Sequence, residues 1–188
     1  AEGDLAFSTA TQAELDAQRT NSSITTLGTV TAGNLSNSAL VYPTGHVIQT
    51  LSSVRTGSFS TTNSGATAVT DLDVDITPKF SSSKILVIAS LSHLEIAGGS
   101  SGDALTVTLY RTLSGDTIIA SAINLGYGMS TLADFGSSLC KLDSPATTSS
   151  INYFITVNSR VSGTIVRVDY HAGGSTAGSS IIAMEIAQ

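Results

Sequence analysis

The sequence predicts an all-β protein, a jelly-roll-like β-sandwich of about nine or ten short strands that follows residue 45. Three observations lead to this prediction. Apolar and hydroxyl-bearing residues alternate with a period of two through most of residues 46–188. Clusters of Gly, Ser, Asn and Pro separate those runs at regular intervals. Good helix formers stand in a row only within residues 5–19.

Residues 1–45 form a segment of different character. Thr11-Gln12-Ala13-Glu14 fits a capping box, in which the Thr hydroxyl and the Glu carboxylate each satisfy a free helix amide. This motif predicts a short helix over residues 12–19. The residues after it are rich in Ser, Thr, Asn and Gly with isolated apolar residues, so they cannot build a core of their own. We interpret residues 1–45 as an attachment or stem segment and residues 46–188 as a head domain.

The head domain contains a series of predicted strands. In order they are residues 46–55, 67–77, 84–97, 104–113, 117–125, 137–142, 150–158, 164–170 and 180–187. Residues 84–97 are apolar on both faces in their first half, which predicts a central strand or a strand that faces another subunit. Residues 98–102, 126–136 and 172–178 are predicted loops because they are rich in Gly and Ser.

Charge is scarce in this chain. Only 12% of the residues are charged, the net charge is −6, and the eight Lys and Arg residues are dispersed, so there is no basic surface for nucleic acid. No run approaches the roughly 18 apolar residues that a membrane span requires. Cys140 is the one cysteine, which excludes an intrachain disulfide and a cysteine-based zinc site. We expect it to be a small buried side chain.

No residue pattern indicates an enzyme, a cofactor or a resident metal. Asp71, Asp73 and Asp75 do not fit an EF-hand, because Ile76 and Ser82 stand where that loop requires Gly and Glu. Their alternation with apolar residues predicts that they lie on the solvated or edge-protecting face of a strand, and the alternative is a metal site at trimer contacts. The histidines lack metal-ligand spacing, and we expect His93 to form a structural pair with Glu95. No strand–turn–helix context exists for a nucleophilic serine.

Two glycine-rich loops supply the candidate binding residues. Asp103 ends the first, and Tyr127, Asp134 and Phe135 lie in the second, between flanking glycines. Aromatic and polar residues on loops above a rigid sheet scaffold often carry recognition. The alternative interpretation is that the two rings tuck beneath the loop as minor core.

Four apolar residues are candidates for contacts between subunits. Leu86 and Ile88 in one predicted strand, and Ile182 and Met184 in the last, occupy faces beyond the one that a single sandwich needs to bury. Covering them with sister subunits would stabilise an assembly by about 25 cal/mol per Å² of apolar surface.

Three stretches carry a resemblance to a known family. They are residues 45–49 with 75–87 (GHVIQ and DITPKFSSSKILV), residues 142–153 (LDSPATTSSINY) and residues 181–187 (IIAMEIA). In this order they resemble the C-terminal knob domains of bacteriophage fibre proteins, notably those of marine and cyanobacterial viruses. The resemblance covers about residues 45–188. It implies a trimeric appendage on the virion exterior, with a head similar to the jelly roll of complement-type and tumour-necrosis-factor-like trimers. The family has no shared catalytic motif, so no site residue is carried over.

The leading hypothesis is a non-enzymatic virion protein, a homotrimeric fibre or spike. Its head would assemble the trimer and contact a glycan or protein receptor on the host surface, and residues 1–45 would bind other virion proteins. One alternative is a head fibre or decoration protein docked on the capsid. Another is a secreted bacterial lectin or adhesin.

Overall fold

The computed structural model describes residues 41–98, 102–128, 133–170 and 178–188. These residues form ten β-strands joined by turns, and they contain no helix. The predicted helix over residues 12–19, nearly all of the predicted stem and most of the predicted loop over residues 172–178 lie outside them. The strands are β1 Val47–Val54, β2 Phe59–Thr61, β3 Thr67–Ile76, β4 Lys84–Ala97, β5 Leu105–Thr112, β6 Asp116–Leu125, β7 Ala133–Asp143, β8 Ile151–Ser159, β9 Ile165–Val168 and β10 Ser180–Ile186. Within the described ranges, no helix has the length and apolar character that crossing a membrane requires.

The strands build two antiparallel sheets that pack face to face, which confirms the predicted sandwich. Sheet A has the order β1-β10-β4-β9-β2, with β7 paired to the other side of β4. Sheet B has the order β3-β8-β5-β6. Branched residues such as Val, Ile and Thr favour these strands because their Cβ packs well on a pleated surface.

Two strands of sheet A are interrupted and then continue in line. β1 pairs with β10 while β2 pairs with β9, and both β9 and β10 lie along the same side of β4. If β1 and β2 are counted as one long strand, and β9 and β10 as another, sheet A has four strands. These four strands face the four strands of sheet B. The result is the eight-stranded, double Greek-key arrangement of a jelly roll.

The core lies between the inward faces of the sheets. Leu72, Val74 and Ile76 of β3 are buried, and the alternating Asp71, Asp73 and Asp75 are exposed, as the period of two predicts. The largest fully buried side chains come from both sheets: Leu72, Ile76, Ile85, Leu91, Leu94, Ile96, Leu105, Leu109, Ile151, Tyr153, Ile155 and Ile181.

Two parts of the predicted strand pattern were wrong. The short strand β2 was not predicted, and β7 begins at Ala133, inside the predicted loop over residues 126–136. Residues 133–135 pair with the end of β4, and this backbone pairing outweighs the loop preference of the flanking glycines. At Gly136 a Cβ atom would lie only 3.3 Å from the carbonyl oxygen of Leu91, beside an irregularity in β4, so this tight approach favours glycine.

A buried carboxylate fixes the turn between β3 and β4. The side chain of Glu185 in β10 is fully buried. It accepts hydrogen bonds from the backbone amides of Lys79 (2.8 Å) and Phe80 (3.2 Å), from Ser83 Oγ (2.7 Å) and from Gln49 Nε2 (2.6 Å). Because its oxygens satisfy donors from β1 and from the β3–β4 turn, Glu185 ties β10 to both of these segments.

A second, partly buried network connects the two sheets. Arg111 Nη1 in sheet B donates to both carboxylate oxygens of Asp143 in sheet A, at 3.0 and 2.8 Å. The hydroxyl of Tyr153, also in sheet B, donates to Asp143 Oδ2 at 2.8 Å. Burial, and then the hydrogen bond to Asp143, raise the pKa of Tyr153 well above its ordinary value.

A third network joins the ends of the interrupted strands. Asp169, just after β9, accepts hydrogen bonds from the amide (3.1 Å) and hydroxyl (2.7 Å) of Ser179, just before β10. It also accepts one from Ser92 Oγ at 3.1 Å, and Arg55 Nε lies 3.9 Å from its carboxylate. Because Arg55 follows β1, this cluster connects the interruption between β1 and β2 with the interruption between β9 and β10.

Candidate functional site

The outer face of sheet A carries an apolar surface across three strands. In the β10–β4 pairing, Met184 lies opposite Leu86 and Ile182 opposite Ile88. Residues directly opposite each other in an antiparallel pair share a face of the sheet. The pairing of β4 with β7 adds Leu142 beside Leu86 and Cys140 beside Ile88. We call this group the sheet A patch: Leu86, Ile88, Cys140, Leu142, Ile182 and Met184.

The four predicted subunit-contact residues therefore form the centre of one continuous surface. Leu86, Ile88, Ile182 and Met184 are half-buried, whereas Leu142 is 47% exposed. Ionisable acidic and basic side chains are absent from the patch. Its margin on one side is a row of serines, namely Ser90, Ser138 and Ser180.

Cys140 corrects one expectation. The prediction of a small buried side chain was wrong, because the thiol is exposed. Cys140 stands opposite the outward Ile88, which puts it on the outer face, whereas its neighbour Leu139 is buried in the core. The short hydrophobic run around it could not reveal which residue points inward, since that depends on the strand register.

Four connections meet at one end of the sandwich. The amides of Ser159 and Gly163 donate to the carbonyls of Asn63 and Thr62, which ties the β8–β9 turn to the β2–β3 connection. The amide of Arg160 donates to the carbonyl of Ala104, and the amide of Gly128 to that of Asp103. The described parts of the two predicted binding loops therefore meet at Asp103 and Gly128.

At this end, Tyr127 and Asp103 have different surroundings. Tyr127 is 58% exposed, and the guanidinium of Arg160 lies over its ring at 5.1 Å from the centroid. Such cation–π pairs contribute about 0.5–1 kcal/mol at exposed sites. Asp103 is fully buried; its Oδ1 accepts hydrogen bonds from its neighbour's amide (2.9 Å) and from Ser159 Oγ (3.0 Å). Through these bonds, and through its carbonyl, which accepts from the amide of Gly128, Asp103 stabilises the connections that carry Tyr127 and Arg160.

Phe135 and Asp134 point to opposite sides of β7. Phe135 pairs with the inward Leu94 and packs against the core beneath Gly126, as the alternative interpretation of the loop rings proposed. Asp134 is on the outer face opposite Glu95, and its side chain is 51% exposed. The structure therefore does not unite all four predicted binding residues.

Asp134 belongs to a network of charges on the outer face of sheet A. His93 Nε2 lies 3.5 Å from Asp134 Oδ1, and Arg167 Nη1 donates to Glu95 Oε1. The guanidinium of Arg167 in turn lies over the Tyr170 ring at 4.2 Å. His93, Glu95 and Asp134 offer ligand atoms within 4.8 Å of one another, a spacing that could accommodate a cation. Because Arg167 already supplies positive charge to Glu95, we interpret the cluster as an ion-pair network.

Sequence reasoning missed Arg160 and Arg167. Both are among the few basic residues of the chain, and a single arginine next to a predicted turn or within an alternating strand carries no motif. A scarce cation near an aromatic residue, as in Arg167 and Tyr170, is the one signal that could have identified it.

No protein-family model and no curated protein matches the chain. Among solved structures, similarity is found to infectious bursal disease virus strain Gt, at 15% identity and a TM-score of 0.34, over 77% of this chain and 39% of that one. A mutant VP2 protein of the same virus, in derived T=1 particles, is similar at 16% identity and a TM-score of 0.36, over 84% of this chain and 41% of that one. Eiger TNF from S. frugiperda is similar at 9% identity and a TM-score of 0.34, over 74% of this chain and 94% of that one. The matched region spans about two-fifths of the two viral chains. Scores of this size establish no shared function.

Proposed function

We propose that this chain is a non-enzymatic structural protein of a virus particle that assembles as a homotrimer through the sheet A patch. The observation that carries the proposal is the patch itself, six uncharged side chains that are contiguous across β10, β4 and β7. A contiguous apolar surface on the outside of a complete sandwich is typical of an interface between proteins. The number of three subunits is what the resemblance to fibre knobs implies.

The same resemblance supports a place on the exterior of a bacteriophage as a fibre or spike. Residues 1–45 would bind other virion proteins, and the head would contact the host surface. The surface composition is consistent with this role, since hydroxyl side chains rather than Lys and Glu solvate much of it. The end that carries Tyr127 and Arg160 is exposed and supplies one surface for attachment.

The oligomeric state of the full chain tests the assembly. We expect light scattering to give three chain masses for the wild type and one chain mass for Ile88→Asp, because a carboxylate in the patch would lose its hydration on assembly. Ile118→Asp is the matched control, since Ile118 is 58% exposed on the opposite face of the sandwich and should leave the trimer intact.

Cys140 gives an independent readout, because it is the one thiol of the chain and lies in the patch. A maleimide reagent should modify it slowly in the wild type and rapidly in Ile88→Asp. A wild-type monomer, or equal labelling rates in the two proteins, would refute assembly through this face. Electron microscopy of particles would then test the location, and a position on the capsid shell would contradict a tail fibre.

A further inference from the structure

An open groove of about 390 Å³ lies on the outer face of sheet B, on the opposite side of the sandwich from the sheet A patch. It exists because β3 stops pairing regularly with β8 between Ala68 and Asp73. The chain at Asp71 adopts a positive φ of 61° within this irregular stretch. The residues that matter for a ligand are Asp71, Asp73, Asp116, Thr112, Asn152 and Phe154.

The groove has an aromatic floor that is held in place. Phe154 lines it, and the ring of Tyr110 on the neighbouring strand stacks on Phe154 at a centroid distance of 5.3 Å and an interplanar angle of 18°. Tyr110 therefore covers one side of Phe154 and leaves the other side towards the groove. A fixed ring of this kind offers apolar contact at little cost in conformational entropy.

The walls of the groove are hydrogen-bond acceptors oriented by their neighbours. Asn152 Nδ2 donates to Asp73 Oδ2 at 3.0 Å and to Asp75 Oδ1 at 2.9 Å. On the other side, Thr112 Oγ1 donates to Asp116 Oδ1 at 2.5 Å. Each carboxylate has about four acceptor sites, so these bonds orient Asp73 and Asp116 and leave acceptors for a ligand.

Charge and spacing restrict the ligand. Among the described residues, no ion pair involves Asp71, Asp73 or Asp116, so the groove repels anions. Among the described residues, the one group of three ionisable ligands within 4.8 Å lies at His93, so Asp71, Asp73 and Asp116 do not all meet at one point. This arrangement suits a ligand with several separated hydroxyl donors.

We propose that this groove binds a neutral glycan, with the C–H face of one sugar ring against Phe154 and its hydroxyls donating to Asp73 and Asp116. This inference rests on the proposed function, since it gives the virion protein a glycan as the ligand on the host surface. It adds a contact on the outer face of sheet B, separate from the attachment surface at the end that carries Tyr127 and Arg160.

The test uses the full chain and a panel of neutral oligosaccharides, each paired with its sialylated form, with binding followed by NMR titration. We expect at least one neutral glycan to bind and its sialylated form to bind at least tenfold more weakly. Phe154→Leu, which keeps an apolar side chain but removes the ring, should weaken binding at least tenfold, and Asp116→Asn should also weaken it. Ile118→Ala, on the same face outside the groove, is the matched control and should bind like the wild type.

Three results would overturn the proposal. These are no binding by any neutral glycan, unchanged affinity in both groove variants, or binding of a basic peptide such as oligolysine in place of sugars. Light scattering on the same samples distinguishes a failure of glycan binding from a failure of trimer assembly. A trimer that binds no glycan refutes the groove alone, whereas a glycan-binding monomer refutes the assembly alone.

Discussion

The two outer faces of the sandwich cover the same core and differ in chemistry where the sheet A patch and the sheet B groove lie. On sheet A, Ile182, Ile88 and their neighbours form a surface without charge. On sheet B, the corresponding positions bring Phe154 and Tyr110 together with Asp73 and Asp116. One face is therefore suited to contact with protein, and the other is suited to water and polar ligands.

The difference shows how a sandwich separates folding from function. Alternate residues of each strand build the core, so the remaining half of each strand is free to vary. In the middle of β4 and β10 that half is apolar, at Leu86, Ile88, Ile182 and Met184, whereas in β3 it is acidic, at Asp71, Asp73 and Asp75. The following variants test whether the two faces behave independently, beginning with the largest expected effect.

A lysine introduced on the outer face of sheet A should affect assembly far more than a lysine introduced on the outer face of sheet B. Met184→Lys should abolish the trimer because an ammonium group would be desolvated in the interface, whereas Ile118→Lys should have no effect on assembly. The measurement is the dependence of the thermal midpoint on protein concentration, which is expected only for an assembled protein. The same dependence in both variants would mean that the faces do not differ in this way.

Removing the buried carboxylate beneath the patch should destabilise sheet A. Glu185→Ala leaves the amides of Lys79 and Phe80 without their acceptor, and we expect a loss of about 3–5 kcal/mol in the free energy of unfolding. Urea denaturation measures it, with Glu185→Gln as the control that keeps one acceptor oxygen and should lose less. A loss smaller than about 1 kcal/mol would contradict the role assigned to Glu185.

Tyr153 lies on the inward side of β8, beneath the groove, and should contribute less than Glu185 to the free energy of unfolding. Tyr153→Phe removes one hydrogen bond to Asp143 and should cost about 1–2 kcal/mol near neutral pH without affecting assembly. The pKa of Tyr153 is raised in the folded state above its ordinary value of 10.0. The wild type should therefore keep this stability below pH 10 and lose up to about 1.4 kcal/mol per pH unit above it. Denaturation between pH 8 and 11 should show a steeper fall for the wild type than for Tyr153→Phe, and parallel curves would refute the coupling.

The smallest effect concerns the backbone of the groove. Asp71→Gly should stabilise the chain by about 0.5 kcal/mol, because glycine adopts a positive φ without steric cost and offsets its own entropy penalty. Asp73→Gly is the matched control, since Asp73 is not among the residues with positive φ, and it should destabilise the chain. A loss of stability in both variants would show that the conformation at Asp71 is not strained.

The alternation of residues in the chain was sufficient to predict the sandwich. The exposed aspartates of β3 and the double-sided apolar character of β4 both follow from the period of two. The same parity places Leu86, Ile88, Ile182 and Met184 on outward faces. That they meet in one surface depends on the register between β10 and β4, which the residues of each strand alone do not specify.

The loop residues were harder to predict because tertiary contacts decide where their side chains point. Asp103 has the composition of a loop carboxylate, but Ser159, far away in the chain, makes it a buried acceptor. Phe135 lies among glycines, and its pairing opposite Leu94 turns it towards the core. The groove on sheet B depends on the irregular pairing of β3, for which the sequence contains no signal that we recognise.

The hydrogen-bond network at Asp169, which acts as a clamp between β9 and β10, affects which insertions the chain can accept. Its hydrogen bonds to Ser179 close the gap between β9 and β10 across ten positions of the chain. The entropic cost of closing a segment grows only slowly with its length, so the clamp tolerates additions between these two residues. We therefore expect a peptide inserted between Asp169 and Ser179 to leave the pairing of β9 and β10 with β4 unchanged.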